Sequence, residues 1–83
     1  MSFKKLPMTE YFKNSILKRR KEFLDREDDI IQWIDHPNQA EIQSDGRIRV
    51  YARDVKNMKW VRIILLEDKK TIHNIFYDRD YEG

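Results

Sequence analysis

A turn followed by a strict two-residue alternation, Asp45-Gly46 and then Arg47-Ile48-Arg49-Val50-Tyr51-Ala52-Arg53, most limits what this chain can fold into. Successive side chains of an extended strand point to opposite faces. Ile48, Val50 and Ala52 therefore share one face, and Arg47, Arg49, Tyr51 and Arg53 share the other. The first face is built to be buried. The second must meet water, a carboxylate or a phosphate, and which of the three it meets decides what the chain does.

The turn sets the pairing with the preceding strand. A two-residue Asp45-Gly46 loop would put Ile42 opposite Arg49 and mix the faces. A three-residue Ser44-Asp45-Gly46 loop, with Gly46 in the left-handed region, pairs Ile42 with Ile48, Ala40 with Val50 and Glu41 with Arg49. The second register keeps the faces separate, and it sets Glu41 to neutralise part of the arginine row.

From residue 38 onward the pattern predicts four strands, at about 39–43, 47–53, 58–66 and 71–77. Loops this short join antiparallel neighbours, so the strands form a meander. A turn at Asp68-Lys69 pairs Leu65 with Ile72, Ile63 with Asn74 and Val61 with Phe76. These residues and the Ile48 face make the predicted core side. Trp60, Arg62, Ile64, His73, Ile75 and Tyr77 would then join Arg49, Tyr51 and Arg53 on the opposite face, unless a one-residue bulge exchanges the two sets.

The residues before the sheet read as helical. After an arm at 1–8, Thr9 is a predicted N-cap with Glu10 in the first turn. Phe12, Ile16, Leu17, Phe23 and Leu24 form an amphipathic stripe to Leu24, crossed by the basic run Lys18-Arg19-Arg20-Lys21. Asp25 is the predicted cap of a second, short helix. Its first turn holds Glu27, Asp28 and Asp29, its apolar face is Ile30, Ile31, Trp33 and Ile34, and Pro37 ends it. The expectation is one α+β domain over residues 1–83: two N-terminal helices (9–36) packed on a four-stranded antiparallel sheet (38–78).

With 83 residues the chain has room for a single modest core. It has no cysteine, which removes disulfides, thiolate metal sites and cysteine nucleophiles, and two histidines make a His-based metal site improbable. Two glycines cannot build a phosphate-cradling glycine-rich loop, so P-loop and dinucleotide chemistry is disfavoured and no cofactor is expected. No apolar run is long enough for a bilayer span. A soluble, cytoplasmic protein is expected. The net charge of +2 conceals blocks: residues 1–26 carry eight Lys/Arg against three acids, and residues 27–46 carry six acids and no Lys/Arg. Such blocks either pair within the fold or face separate partners.

In-line RNA cleavage needs a base, an acid and cations for the developing charge. On the predicted open face His73, Tyr77, Arg62 and Arg53 are eligible as catalytic groups. Arg47, Arg49 and Arg79 are eligible for phosphate or partner binding, and Tyr51 and Trp60 for base stacking. The structural alternative is that His73 is a packed sheet residue, Tyr77 and Trp60 cover a second small core, and Arg62 bridges to Asp78 or Asp80.

The runs Asp45-Gly46-Arg47-Ile48-Arg49, Val61-Arg62-Ile63-Ile64-Leu65-Leu66-Glu67-Asp68, Thr71-Ile72-His73-Asn74 and Asp78-Arg79, with His36-Pro37 before them, resemble a family of small uncharacterised bacterial proteins over nearly the whole chain. Where that family commonly has glycine after the Glu-Asp turn, this chain has Lys69. More distantly, two helices followed by an antiparallel sheet are similar to the BrnT branch of the RelE/ParE toxin superfamily. That resemblance implies a ribonuclease or gyrase-directed toxin held by a cognate antitoxin. The expected function is thus an RNA-directed, toxin-like protein. A non-enzymatic protein-binding module and a nucleic-acid-binding accessory protein without catalysis are the alternatives.

Overall fold

The computed structural model describes residues 3–82 and consists of two helical segments followed by a four-stranded antiparallel meander. The strands β1 (Gln39–Ile42), β2 (Ile48–Asp54), β3 (Lys59–Leu65) and β4 (Ile72–Tyr77) lie in sequence order. The β1–β2 hairpin has the expected register, with Ile42 opposite Ile48, Ala40 opposite Val50 and Glu41 opposite Arg49. Gly46 has φ +90°, and its N–H donates to the Gln43 carbonyl at 3.0 Å. The positive φ is what calls for glycine; a Cβ there would also stand 2.9 Å from the Glu67 carboxyl carbon, a contact that this exposed side chain can relieve by moving.

The β3–β4 hairpin corrects the sequence-based register. Leu65 does face Ile72, but a bulge lets the pair Ile72-His73 oppose Leu65, and beyond it Ile64 faces Asn74, Ile63 faces Ile75, Arg62 faces Phe76 and Val61 faces Tyr77. Ile75 therefore takes the position opposite Ile63 expected of Asn74 and Tyr77 the one opposite Val61 expected of Phe76; Ile75 is fully buried while Phe76 is half-buried on the far face. Tyr77 moves to the helix side. The physical reason is the bulge itself, one extra residue at His73 that reverses the alternation after it. The adjoining turn is held by the Asp68 carboxylate, which accepts the N–H groups of Lys70 and Thr71, both at 2.9 Å. Lys69 sits within it at φ +65°, a left-handed conformation that costs a non-glycine residue about 1 kcal/mol.

The first helix spans residues 10–19, with a π turn at Phe12–Ile16 running into Leu17–Arg19. Thr9 caps it, its hydroxyl oxygen accepting the Phe12 N–H at 3.1 Å. The helix does not continue to Leu24 as the stripe suggested. It breaks at Arg20 (φ −109°, ψ 62°), and a single 3₁₀ turn, Lys21–Phe23, returns Phe23 to the core. Lys18 and Arg19 fall in the last turn, where cations suit the helix dipole, and extending the helix would set Lys21 beside Lys18 as a like-charged i,i+3 pair.

The second helix is Glu27–Asp35 and ends at His36, just before Pro37. Its N-cap position is held by Arg26 with no capping side chain, so the predicted Asp25 cap is not formed. Glu27 instead receives the N-terminal arm. Its carboxylate accepts the backbone N–H of Lys4 (3.0 Å), Lys5 (2.7 Å) and Leu6 (2.8 Å). Burial alone would raise this carboxyl; the three backbone donors outweigh it and hold the group below its usual range. The tethered arm then pairs Met8 with Ile72 and covers that end of the β4 edge. Phe12, Ile16, Phe23 and Ile30 pack on Ile48, Val50, Val61, Ile63, Leu65, Ile72 and Ile75 to form the core.

Candidate nucleic-acid interface

Two of the four cations on the strands, Arg49 and Arg62, have carboxylate partners. Glu41 accepts from Arg49 at 3.2 Å, as their opposed positions require, and Asp45 lies 3.9 Å from Arg47. Arg62 donates to Asp78. Arg26 makes the most enclosed pair: both terminal nitrogens donate to Asp54, at 2.8 and 3.1 Å, and Nε donates to Asp29 at 2.7 Å. Asp54 is 1% exposed and also accepts from Asn57 and from the Tyr77 hydroxyl, at 2.9 and 2.7 Å. Its burial would raise the carboxyl, but Arg26, Asn57 and Tyr77 together hold it well below the carboxylate range.

At the end of the sheet where β2 leaves, β3 enters and β4 stops, the pattern changes. A cleft of about 390 Å³ is lined by Arg20, Arg53, Lys59 and Arg79 together with Trp60 and Tyr77. Among the described residues none of these four cations has a carboxylate within salt-bridge distance. Two acids also reach the cleft, Glu22 and Asp78, and Asp78 is engaged by Arg62. The wall therefore carries an excess of positive charge. Arg53 lies over the Trp60 ring at 5.2 Å and Lys59 over the Tyr77 ring at 4.8 Å, which holds two of the cations in place without neutralising them. The break at Arg20 is what brings that residue to the cleft. Met58, in the turn before β3, has φ +56° and is 67% exposed at the rim.

The nine residues singled out from sequence are not brought together as one site. His73 is the bulge residue. Its Nδ1 lies 3.1 Å from the Thr9 hydroxyl and its ring 5.0 Å from that of Tyr11, and burial, then the Arg47 charge, lower its pKa. Tyr77 lies four residues further along β4, roughly 13 Å at 3.3 Å per residue, with its hydroxyl on Asp54 and its ring 4.9 Å from Phe23. Burial, and then the bond to Asp54, raise its phenol pKa. Arg53 and Arg62 lie on the other face, Arg62 over the Tyr51 and Phe76 rings. Of the four catalytic candidates only Arg53 and Tyr77 line the cleft, so a base, an acid and two cations are not gathered in it. Of the binding candidates, Trp60 and Arg79 line the cleft, Arg47 and Arg49 are paired, and Tyr51 is buried at 5% exposure.

Sequence reasoning missed Arg20 and Lys59 as members of the cleft. The basic run containing Arg20 was visible, but the break that turns it toward the sheet end was not. Arg26, Asp54 and Asn57 were also missed, although Asp54 continues the inward alternation of Ile48, Val50 and Ala52 and so stood out as an acid on an apolar face. Among the described residues no three His, Asp or Glu side chains cluster as a metal site, and no helix is long and apolar enough to cross a membrane. In comparisons with protein families, curated proteins and solved structures, no match to this chain was found.

Proposed function

We propose that this protein binds single-stranded nucleic acid, RNA first among the candidates, through the phosphates, and that it does so without cleaving it. The observation that carries the reading is the convergence of Arg20, Arg53, Lys59 and Arg79, without carboxylate partners among the described residues, on one cleft walled by Trp60 and Tyr77. Unpaired cations beside aromatic rings suit a flexible, single-stranded backbone, which can dip its phosphates into a concave site. The likeness to RelE/BrnT-type proteins agrees with an RNA target. Cleavage is the less favoured part of that resemblance, since His73 is held by Thr9 outside the cleft lining and Tyr77, which lines the cleft, is engaged by Asp54.

Fluorescence anisotropy with a short single-stranded RNA tests the reading. Binding should be measurable at 50 mM salt and weaken about 50-fold by 200 mM, the fall expected for four phosphate contacts. Intact RNA should be recovered afterwards, with and without ribosomes. Absence of binding at 50 mM salt would overturn the proposal; cleaved RNA would restore the toxin reading.

A second reading has one observation behind it. All four residues of the edge strand β1 are exposed, Ile42 at 72%, which leaves a free edge for strand addition by a partner protein.

A further inference from the structure

The far face of the sheet is not open. After β4 the chain turns back across it. Asp78 engages Arg62, the Asp80 N–H donates to Asp78 at 3.0 Å, and Tyr81 comes to rest on the sheet. The Tyr81 ring lies parallel to that of Tyr51, with centroids 3.9 Å apart and 6° between the planes, and meets Trp60 edge-on at 4.9 Å. Its hydroxyl donates to the Gln39 side-chain oxygen at 2.6 Å. One tyrosine thus covers β2 and β3 and is tied to β1.

Two features of this contact point beyond simple coverage. Tyrosine rings prefer offset or edge-to-face packing, because their negative faces repel, and near-parallel stacking at 3.9 Å is the arrangement that a flat nucleobase adopts on an aromatic residue. The polar surroundings also match a nucleotide. Arg62 lies over the Tyr51 ring and meets the Asp78 carboxylate where a phosphate would be held, and its Nε–H is buried with no acceptor. Arg53 covers Trp60, and Trp60 belongs both to the cationic cleft and to this aromatic face, so a strand leaving the cleft passes directly onto it.

We infer that Tyr51 and Trp60 form a base-stacking platform for single-stranded nucleic acid, and that Tyr81 occupies it when no nucleic acid is bound. Tyr81 takes the place of a base and Asp78 that of a phosphate. This rests on the cleft reading and adds to it a second ligand class, the base, and a built-in competitor. A strand whose bases stack on Tyr51 and Trp60 must displace Tyr81, so its apparent affinity is reduced by the fraction of time the platform is covered, while phosphate binding in the cleft is not.

The test uses full-length protein carrying Trp33→Phe, so that tryptophan emission reports Trp60 alone, with oligo-U, oligo-dT and an abasic strand of equal length as probes. Tyr81→Ala should bind both base-bearing strands about tenfold more tightly than its parent, with Trp60 emission quenched at saturation. The abasic strand should bind the two proteins alike. Gln39→Ala, which loosens the segment without removing the ring, should give a smaller gain in the same direction, and it serves should Tyr81→Ala fold poorly. Equal affinity of parent, Tyr81→Ala and Gln39→Ala for oligo-U, with unquenched Trp60, overturns the platform. If Arg53→Gln still weakens binding in that case, the cleft reading survives alone; if no protein binds any strand, both fall.

Discussion

Two sets of cations in this molecule have opposite circumstances. Arg26, Arg47, Arg49 and Arg62 each lie within 4 Å of a carboxylate, while Arg20, Arg53, Lys59 and Arg79 line one cleft and have none among the described residues. The first set is paired within the chain, Arg26 in an enclosed site and Arg47 at the surface. The second has no such partner among the described residues, at some cost in repulsion between neighbours. Position along the same strand does not separate them, since Arg49 and Arg53 alternate to the same face of β2. What separates them is the opposite residue: Arg49 faces Glu41 across the hairpin, whereas Arg53 faces Trp60.

Removing a member of the paired set should produce the largest effect on the fold. Asp54→Ala leaves the Arg26 guanidinium enclosed without its main partner and should cost about 3–5 kcal/mol in chemical denaturation. The four-fold variant Arg20→Gln/Arg53→Gln/Lys59→Gln/Arg79→Gln should by contrast stay within about 0.5 kcal/mol per site of the parent. A large loss in the second protein would mean that the cleft cations hold the structure together and that the division between the sets is wrong.

Acid breaks the same set without mutation. Asp54 and Glu27 both have carboxyl groups held below their unfolded values of about 3.9 and 4.3. The sign follows from linkage: each contributes stability that is fully present above its unfolded pKa and is lost as pH falls through the lowered, folded value. The melting temperature should therefore be flat with respect to these two groups above about pH 5 and fall below about pH 4. Glu27→Gln should start lower and lose less on acidification, and an acid profile identical to wild type would show that the arm's three backbone donors do not depend on the charge.

A smaller change would move one cation between sets. Glu41→Gln releases Arg49 from its partner and should strengthen binding of a single-stranded oligonucleotide by no more than about threefold, less than one full phosphate contact. A tenfold gain would show that the arginine row, not the cleft, is the main binding surface.

The fold was legible because its signals were local. The alternation after Asp45-Gly46, the face-matching argument for a three-residue loop and the Pro37 stop each depend on a few adjacent residues, and the architecture and first hairpin follow from them. The β3–β4 register was not legible beyond Leu65–Ile72, because a bulge leaves no mark on a run such as Ile72-His73-Asn74-Ile75-Phe76 that reads acceptably in either phase. That single residue also decided the candidate site, since it carried Tyr77 to the helix side and fixed His73 beside Thr9. The neutralisation of Arg49 could be read from the opposed Glu41. The cleft could not, because it depends on where the first helix breaks and on how Asp78 and Arg79 are placed after β4.

The division between the two sets is tested most directly by the salt dependence of RNA binding in two double variants of equal charge. Each phosphate contact on a single strand contributes about 0.7 to the slope of log affinity against log salt. Arg53→Gln/Arg79→Gln should make that slope shallower by about 1.4, while Arg47→Gln/Arg49→Gln should leave it nearly unchanged. The reverse result, or an equal reduction in both, would contradict the assignment of the cleft as the phosphate-binding site.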